Sequence, residues 1–522
     1  MLPLLRDIVD PCDIGMDMQQ ATVDDCFKLQ AFPTCSTAKM RNTIVSLVYA
    51  MQQAHALVTD PCAGLDLISP SNTQYSSLAS GERDVITRSP AMIAVVYNPS
   101  QVQMAVQCAN QQGLNVVPRS GGHSYLNLSS QNGQMVIDMA DMKAVVINQT
   151  AGTANVQVGA RLGNIYTTIW NNGNWQFNGG TCPSVGIGGF IAGGGYGMTS
   201  RKYGLGIDRV KSFNIVIASG TVLSCSATSN SDLFWAVLGG GSGSFGVVTD
   251  YTLRLFKEPT NTVFRYEFST ADRAAVIESW MRTYPTVDNR LTCHLDINKW
   301  SVVLYGQFLG SMTDFNNVIT ATGIKNGRNI VSTTVTDQCN GLQTKVFVWA
   351  NGWQNCLDTS AMNVPARSSN KEYGKFKSDY SSVTFSSSLI SNILSRIDTS
   401  AGSTWMQLAP MKGQIAAHAT NATPFYHRAT RFSIQYYRSM SYQEAREPNG
   451  AGSTAWSWIR GLETAMKPSV TGGRYQNYPD LDLGSEFGVA YYGLDNFNRL
   501  KTIKKARDPG NKFQNEQSIP VV

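Results

Sequence analysis

At its most unusual point the chain reads Gly179-Gly-Thr-Cys-Pro-Ser-Val-Gly-Ile-Gly-Gly-Phe-Ile-Ala-Gly-Gly-Gly-Tyr-Gly197, where nine of nineteen residues are glycine. Ordering so many glycines costs more entropy than ordering other residues, so this stretch is not expected to form an ordinary helix or strand core. The interleaved Val, Ile and Phe residues belong in a core, which argues against a flexible linker. We therefore expect a large, flat cofactor to lie against this backbone. Cys182, inside the stretch, contacts that cofactor or is a buried structural thiol.

A second stretch, Pro118-Arg-Ser-Gly-Gly-His-Ser-Tyr125, follows a predicted strand at residues 114–117. Two consecutive glycines allow backbone N–H groups to converge on an anion without interference from Cβ atoms. Such a loop suits a pyrophosphate, and His123 just beyond it would reach whatever the phosphates carry. The alternative is a tight turn with a solvated histidine.

A third stretch, Gly241-Ser-Gly-Ser-Phe-Gly246, matches the dinucleotide-binding pattern G-x-G-x-x-G. That motif requires a strand before it and a helix after it. Here a predicted helix at residues 232–238 precedes the glycines and a predicted strand at 247–255 follows them. The order is reversed, so this stretch does not indicate NAD binding.

Composition narrows the class of protein. With 522 residues, 42% of them hydrophobic, the chain is long enough for two or three folded domains. The net charge of +6 is not concentrated in a basic run, which argues against nucleic acid as a partner. No apolar stretch is long enough to span a membrane. We also expect no metal site. Ten cysteines and three N-glycosylation sequons, at Asn127, Asn148 and Asn421, favour a secreted glycoprotein, although each sequon could be unmodified.

Periodicity divides the chain into a cysteine-bearing leader and α/β regions. Residues 1–60 hold Cys12, Cys26 and Cys35, with a helix-like segment at 37–56. A strand at 93–97, a helix at 100–112 with Ser100 as its N-cap and a strand at 114–117 form an α/β unit. After residue 259, glycine becomes rarer and predicted strands (302–308) alternate with predicted helices (274–283 and 455–466).

These glycine-rich stretches resemble the FAD-binding domain of the vanillyl-alcohol oxidase superfamily, and more narrowly its berberine bridge enzyme-like branch. The resemblance runs from about residue 57 to the C-terminus. The motifs that carry it are Arg119-Ser-Gly-Gly-His-Ser-Tyr125, Gly180-Thr-Cys-Pro-Ser-Val-Gly186, Gly193-Gly-Gly-Tyr-Gly197, Tyr475-Gln-Asn-Tyr-Pro-Asp480, Tyr491-Tyr-Gly493 and Asp508-Pro-Gly-Asn-Lys-Phe513.

The resemblance implies an α+β fold, with a two-part FAD-binding domain and a substrate domain whose antiparallel sheet is covered by helices. The expected boundaries are a leader of unknown role at 1–60, the FAD-binding domain at 61–258, the substrate domain at 259–470 and a segment at 471–522 that returns to the FAD domain. A monomer is expected.

By position, the resemblance implies FAD attached through two covalent bonds. His123 matches the residue bonded to the flavin 8α-methyl and Cys182 the residue bonded to flavin C6. Val185 matches a position that admits or blocks oxygen, and valine there resembles the oxidase state. Phe190 departs from the histidine of many relatives. The other expected cofactor-binding residues are Arg119, Ser120, Gly121, Gly122, Ser124, Gly186, Gly188, Gly189, Gly193, Tyr196 and Gly197.

Within the branch, the chain is most similar to glucooligosaccharide and chitooligosaccharide oxidases. Tyr478 matches their catalytic base, and Tyr125 is a second active-site tyrosine. The expected substrate-binding residues are Asp296, Trp405, Gln407 and Gln435. Aromatic faces and side-chain amides suit a neutral, hydroxyl-rich ring. The individual alternatives for Trp405 and Gln435 are ordinary core or strand residues.

The chain departs from the sugar oxidases at the partner of the base. Ala409 lies where they carry a carboxylate, and Ser433 lies where some plant relatives carry a lysine. A tyrosine with an ordinary pKa near 10 is a poor base at neutral pH. Another residue must therefore activate Tyr478, or the pH optimum is alkaline, or the substrate is different.

The expected activity is oxidation of the C1 hydroxyl of a reducing oligosaccharide to the lactone, with oxygen reduced to hydrogen peroxide. The alternatives are an oxidase of an alcohol or alkaloid, and a secreted interaction or defence-eliciting protein that keeps the flavin fold.

The resemblance also implies a disulfide between Cys62 and Cys108. Cys339 and Cys356 form a second candidate pair.

Overall fold

A computed structural model describes residues 60–82, 86–352, 358–367, 371–447 and 452–522. The chain divides into two units, Met1–Ala63 and Gly64–Val522, and every helix and strand given below belongs to the second. The helix predicted at 37–56 lies outside the described residues. No helix within the described ranges has the length and apolar character needed to cross a membrane.

The described residues contain three sheets and fourteen α-helices. The strands are β1 (Asp66–Ile68), β2 (Met92–Val95), β3 (Val116–Arg119), β4 (Met135–Asp138), β5 (Val145–Asn148), β6 (Thr153–Gln157), β7 (Val210–Val216), β8 (Val222–Ser226), β9 (Val247–Arg254), β10 (Asn261–Phe268), β11 (Leu291–Asn298), β12 (Val302–Leu309), β13 (Ile330–Cys339), β14 (Gly374–Ser381), β15 (Thr404–Pro410) and β16 (Phe432–Ser439). The helices are α1 (Tyr75–Ala79), α2 (Pro99–Gln111), α3 (Leu162–Asn171), α4 (Ile187–Ala192), α5 (Ser200–Tyr203), α6 (Ser231–Gly240), α7 (Arg273–Thr283), α8 (Met312–Ala321), α9 (Gly341–Trp349), α10 (Ser387–Asp398), α11 (Tyr442–Arg446), α12 (Ser453–Met466), α13 (Phe487–Tyr492) and α14 (Leu494–Arg507).

The first sheet has the order β1-β2-β4-β3, with β2, β4 and β3 parallel and β1 antiparallel to β2. Helix α2 connects β2 to β3, which confirms the predicted strand–helix–strand unit. The predicted N-cap is wrong: Asn98, not Ser100, caps the helix, because its side chain accepts a hydrogen bond from the backbone N–H of Gln101 at 3.0 Å. Pro99 then occupies the first helical position, where a missing N–H costs nothing.

The second sheet is antiparallel, in the order β5-β6-β9-β7-β8. The stretch 241–246 leads from helix α6 into β9. This order confirms that the G-x-G-x-x-G match does not lie in a dinucleotide-binding turn, which needs a strand followed by a helix.

The glycine-rich stretch is more regular than predicted, because residues 187–192 form the short helix α4. Ile187 and Ile191 are fully buried. Burial of these apolar side chains offsets the entropy that Gly188 and Gly189 lose in a helix. Packing against the rest of the molecule therefore overrides the local preference of glycine.

The third sheet has seven antiparallel strands in the order β13-β10-β12-β11-β15-β16-β14. One face is apolar and is covered by α7, α10 and α12, which supply residues such as Trp280, Ile393 and Ile459 to its core. Strand residues alternate between faces, so Leu295 of β11 joins that core while Asp296 points to the opposite side. The expected fold class is thereby confirmed: an antiparallel sheet covered by helices accompanies a part built from the two smaller sheets and the glycine-rich segments.

The cysteines and sequons agree only in part with expectation. Cys62, Cys108 and Cys339 are disulfide-bonded. The pairing of Cys62 with Cys108 stays a prediction, and Cys356 lies outside the described residues. Asn127 is 1% exposed, so the first sequon is not accessible in the folded protein. The other two sequon asparagines are exposed.

Candidate active site

A cavity of about 470 Å³ lies between the glycine-rich segments and the polar face of the seven-stranded sheet. Most of the predicted site residues meet in its walls. From the cofactor set these are Ser120, Gly121, Gly122, His123, Ser124, Cys182, Val185, Gly186, Gly188, Gly189, Gly193 and Tyr196, and from the substrate set Tyr125, Asp296, Trp405, Gln407, Gln435 and Tyr478.

Two predicted cofactor residues, Arg119 and Gly197, lie behind the cavity wall instead of lining it. The guanidinium of Arg119 donates to the carboxylate of Asp138 at 2.7 Å, and both side chains are buried. At Gly197, an added Cβ would lie 1.9 Å from the carbonyl oxygen of Gly179. Both residues therefore hold the two cofactor segments in place from outside the cavity.

The two glycine segments touch each other through their backbones. An added Cβ at Gly186 would lie 2.3 Å from both the backbone nitrogen of Gly121 and Oγ of Ser120. In contrast, an added Cβ at Gly189, in the cavity wall, would meet nothing within 4 Å. The segments thus form a close-packed base below an open space. Such a cradle fits a flat group with an anionic tail.

Phe190, where many relatives carry histidine, also belongs to this base. An added Cβ at Gly180 would lie 3.0 Å from the Phe190 ring, and one at Gly195 would lie 2.9 Å from it. The ring therefore fills the space beneath these two glycines and supports the wall of the cavity by packing.

His123 and Cys182 are brought together at one end of the cavity. His123 Nε2 lies 2.7 Å from Oγ of Ser184, which lies 3.3 Å from Sγ of Cys182. His123 Nε2 also lies 2.5 Å from a carboxylate oxygen of Glu82. Burial by itself lowers the pKa of His123, but hydrogen bonds to Cys182 and Glu82 raise that pKa to about 9.

Cys182 has the ionisation expected of a nucleophile. Burial raises its pKa, but the hydrogen bond and positive charge of His123 outweigh burial and hold the pKa below the ordinary value of a thiol. At the other free cysteines of the described residues, Cys225 and Cys293, burial outweighs the charge of a nearby arginine and raises the pKa of each to about 12. Cys182 is therefore suited to covalent chemistry, whereas the other two are structural.

Two tyrosines stack in the opposite wall. The rings of Tyr125 and Tyr478 lie 5.3 Å apart and nearly parallel, and Tyr475 meets Tyr478 edge-on at 4.9 Å. Burial, followed by the neighbouring phenols of Tyr125 and Tyr475, raises the pKa of Tyr478 well above its ordinary value. Ala409 and Ser433 pair across strands β15 and β16 and line the cavity without contributing a charge.

The segment that carries Tyr478 is anchored by a buried charge cluster. Two residues later, the carboxylate of Asp480 forms ion pairs with the ammonium groups of Lys375 and Lys377 of β14. Nζ of Lys377 lies 2.5 Å from a carboxylate oxygen. All three side chains are buried, and Lys377 also pairs with Asp482 at 2.8 Å. Ion pairs removed from water require good geometry, so this cluster fixes the Tyr478 segment against the sheet.

Predicted substrate residues form a row across the sheet because the strand register aligns them. Gln435 of β16 pairs with Gln407 of β15, which pairs with Asp296 of β11. The amide of Gln407 donates to Asp296 at 2.9 Å, and the amide of Gln435 donates to the hydroxyl of Tyr125 at 2.7 Å. Burial raises the pKa of Asp296 to about 7, against the lowering effect of Gln407.

The site residues that were not predicted include Tyr437, His294 and Glu82. Tyr437 stacks on Trp405 at 4.1 Å and donates to Gln435, and His294 lines the cavity beside Asp296. Both lie two residues from a predicted site residue on the same strand, so strand alternation could have identified them. Glu82 has no comparable pattern, because it lies far along the chain from His123.

Two family models match parts of this chain. Residues 90–226 match the family model described as FAD binding domain, and residues 474–520 match the model described as berberine and berberine like. The first range contains both glycine segments and the second contains Tyr478.

Similar proteins come from plants and fungi. Berberine bridge enzyme-like 21 of Arabidopsis thaliana is 30% identical, with 84% of each chain covered. Chitooligosaccharide oxidase of Gibberella zeae is also 30% identical, over 82% of this chain and 87% of that protein.

Solved structures share the fold. A variant of the grass pollen allergen Phl p 4, in which an isoleucine is replaced by valine, is described as a glucose oxidase. It is 28% identical, with a TM-score of 0.78, and covers 89% of this chain and 98% of its own. The fold, the cavity and the two family models lead to one conclusion: the chain belongs to the berberine bridge enzyme-like family of FAD-dependent oxidoreductases.

Proposed function

We propose that the protein is a secreted carbohydrate oxidase. It carries FAD bonded to His123 and Cys182, and it oxidises the anomeric C1 hydroxyl of reducing oligosaccharides to the lactone. One observation carries this proposal. A single cavity contains the His123–Cys182 pair, stacked tyrosines and a row of side-chain amides.

The cavity residues fit FAD. The base formed by Gly121 and Gly186 would face the pyrophosphate, and the open space above Gly189 would accept the flat ring system. Cys182, with its lowered pKa, and His123 beside it supply the two nucleophiles. Bound FAD would accept hydride from the substrate at N5 and pass the electrons to oxygen, producing hydrogen peroxide.

The opposite wall fits a sugar. Gln407, Gln435 and Asp296 present amide and carboxylate groups in a row, and neutral hydroxyl-rich rings are recognised by such groups. Trp405, backed by Tyr437 at 4.1 Å, offers an aromatic surface for stacking. Tyr478 would accept the proton of the C1 hydroxyl, with Tyr125 and Gln435 orienting the substrate.

Oxygen as the electron acceptor is supported by Val185. It lines the cavity in the segment between Cys182 and Gly186, the position that the resemblance connects with oxygen access. The Phl p 4 variant that gained a valine is described as a glucose oxidase, whereas Phl p 4 itself is described as having glucose dehydrogenase activity. The resemblance connects a valine at position 185 with the oxidase state, and we therefore expect peroxide production.

Secretion as a monomeric glycoprotein is part of the proposal. The disulfide-bonded Cys62, Cys108 and Cys339 favour an oxidising compartment. Glycosylation is proposed at Asn148 and Asn421 only, because Asn127 is buried.

Oxidation of an alcohol or alkaloid is the second candidate. The observation that favours it is the absence of a charge at both Ala409 and Ser433, where sugar oxidases and plant relatives carry one. Aromatic rings, among them Tyr125, Tyr437, Tyr475 and Phe425, also line the cavity and would suit an apolar substrate.

Two measurements on the purified full-length protein test the proposal. Intact-mass analysis after acid denaturation should show polypeptide plus one FAD, and each single variant, His123→Ala or Cys182→Ala, should retain one link. A peroxide assay should then respond to reducing oligosaccharides in preference to aromatic alcohols. Bare polypeptide would contradict the covalent cofactor, and peroxide from alcohols alone would favour the second candidate.

A further inference from the structure

Glu82 is a buried carboxylate that none of the proposed chemistry uses. Its side chain is 12% exposed, and its two oxygens have different partners. One lies 2.5 Å from Nε2 of His123, and the other lies 2.5 Å from a guanidinium nitrogen of Arg161. The backbone N–H of Glu82 donates to the carbonyl of Gly122 at 3.0 Å, next to His123 in sequence. Glu82 is thus fixed against the His123 loop through both its backbone and its side chain.

Arg161 holds Glu82 in its charged form. Its guanidinium donates to the carbonyl of Ser184, beside Cys182, and to that of Ala366 at 2.9 and 3.0 Å. Burial raises the pKa of Glu82, but hydrogen bonds and charges of His123 and Arg161 outweigh burial and keep the pKa below its ordinary value. A carboxylate at this position therefore remains ionised, as a hydrogen-bond acceptor and a negative charge beside the imidazole.

The contact also selects one nitrogen of His123. Glu82 and Ser184 both engage Nε2, at 2.5 and 2.7 Å. Nδ1 is then the nitrogen left to form a bond to a ligand. The pKa of His123 is about 9, so at neutral pH both ring nitrogens carry a proton. The Nδ1 proton must leave before Nδ1 can act as a nucleophile, while the Nε2 proton stays in the hydrogen bond to Glu82.

We propose that Glu82 is a positioning residue for covalent attachment of FAD at His123. It accepts a hydrogen bond from Nε2, which leaves Nδ1 to form the bond, and its charge stabilises the positive charge that the imidazole gains as Nδ1 reacts. This inference rests on the proposed covalent flavin. In the overall reaction one C–H bond of the flavin 8α-methyl and one N–H bond of His123 break, one C–N bond forms, and oxygen takes up both hydrogens as hydrogen peroxide. A carboxylate that orients an imidazole and stabilises its positive charge has the same role in other nucleophilic sites.

The experiment uses full-length protein in which Cys182→Ala leaves His123 as the single attachment point. Glu82→Gln in this background retains the size and a hydrogen bond but removes the charge. Glu82→Asp retains the charge, but its side chain is one methylene shorter, so the carboxylate lies farther from His123. Glu486→Gln, at an exposed glutamate, is the matched control. Each protein is incubated with FAD, and covalent flavin is followed over time by intact mass and by fluorescence of the denatured polypeptide.

We expect the parent and the Glu486→Gln control to attach FAD at the same rate. Glu82→Gln should bind FAD, as shown by its native absorbance, but attach it about 10²–10⁴-fold more slowly. Glu82→Asp should attach FAD at an intermediate rate. This separation of binding from attachment would not arise if Glu82 served only to stabilise the fold.

Attachment by Glu82→Gln at the parent rate would overturn the inference. If that variant fails to fold, Glu82→Asp decides: slow attachment with normal FAD binding supports the role of Glu82, and attachment at the parent rate overturns it. An absence of covalent FAD in the parent would overturn the proposed bond at His123 together with the role of Glu82. Attachment in the parent that is unchanged in both Glu82 variants would leave the proposed function intact and reject the inference alone.

Discussion

Two side chains in the cavity, Tyr478 and Asp296, could accept a proton from the same substrate hydroxyl. They differ in the pH at which they become bases. The pKa of Tyr478 is raised well above its ordinary value by burial and by neighbouring phenols, whereas burial brings the pKa of Asp296 to about 7. Because Ala409 supplies no carboxylate, the pH dependence of catalysis distinguishes the two.

Replacing Tyr478 by phenylalanine tests its role directly. We expect Tyr478→Phe to retain flavin and fold but to lose about 10²–10⁴-fold in the rate of flavin reduction, equivalent to roughly 3–5 kcal/mol of activation free energy. Anaerobic stopped-flow absorbance measures this step apart from reoxidation by oxygen. Tyr442→Phe, at an exposed position, is the matched control and should react as the unmodified protein does. A near-normal rate in Tyr478→Phe would require a different base.

The pH dependence of flavin reduction should identify the base. If Tyr478 is the base, its raised pKa means that the phenolate fraction grows about tenfold per pH unit, so the rate should rise up to pH 10 without a plateau. If Asp296 is the base, the rate should level off above about pH 7, and Asp296→Asn should abolish that plateau. The profile is measured at saturating substrate, so that it reports the enzyme–substrate complex.

At the level of structural elements, the contact between the two glycine segments sets the floor of the cavity. Gly186→Ala would place Cβ 2.3 Å from the backbone nitrogen of Gly121, and neither segment can move without disturbing β3 or α4. We expect a loss of about 1–3 kcal/mol in the free energy of unfolding, with weaker FAD binding. Gly510→Ala, where an added Cβ meets nothing within 4 Å, is the control. Equal urea-unfolding midpoints for the two variants would show that the segments are not close-packed.

For the whole molecule, buried neutral histidines should set the stability at mildly acidic pH. His427 and His294 are 6% and 5% exposed, and burial lowers their pKa values to about 4 and about 3. Below pH 6.5 the unfolded chain therefore binds more protons than the folded protein, and stability falls as pH decreases to about 4. For His427 alone the loss is about 3 kcal/mol.

His427→Gln should flatten this decline. We expect the free energy of unfolding, measured in denaturant at pH 6.5 and pH 4.5, to fall less in this variant than in the unmodified protein. His418→Gln, whose side chain is 46% exposed, is the control and should follow the unmodified protein. His123 does not account for the decline, because a raised pKa adds stability as pH falls and is fully effective below pH 6.5. An unchanged slope in His427→Gln would reject the assignment.

The local sequence by itself indicated where a cofactor site lies, whereas the resemblance to a known family supplied the expected roles of its residues. Dense glycine within an apolar context indicated a cofactor cradle, and His123 and Cys182 lie inside those segments. The row from Asp296 to Gln435 lies on one face of the sheet formed by β11, β15 and β16, because alternate residues of a strand point to the same face. Even Tyr437 follows from that alternation.

Only the tertiary structure decided which distant segments meet. The contact of Gly121 with Gly186, the approach of Glu82 to His123 and the burial of Asn127 all join or cover residues far apart in sequence. Local periodicity reports which face of a helix or strand a residue occupies, but it carries no information on which other segment packs against that face. That choice is made by close packing and by the pairing of buried charges, which depend on the whole chain at once.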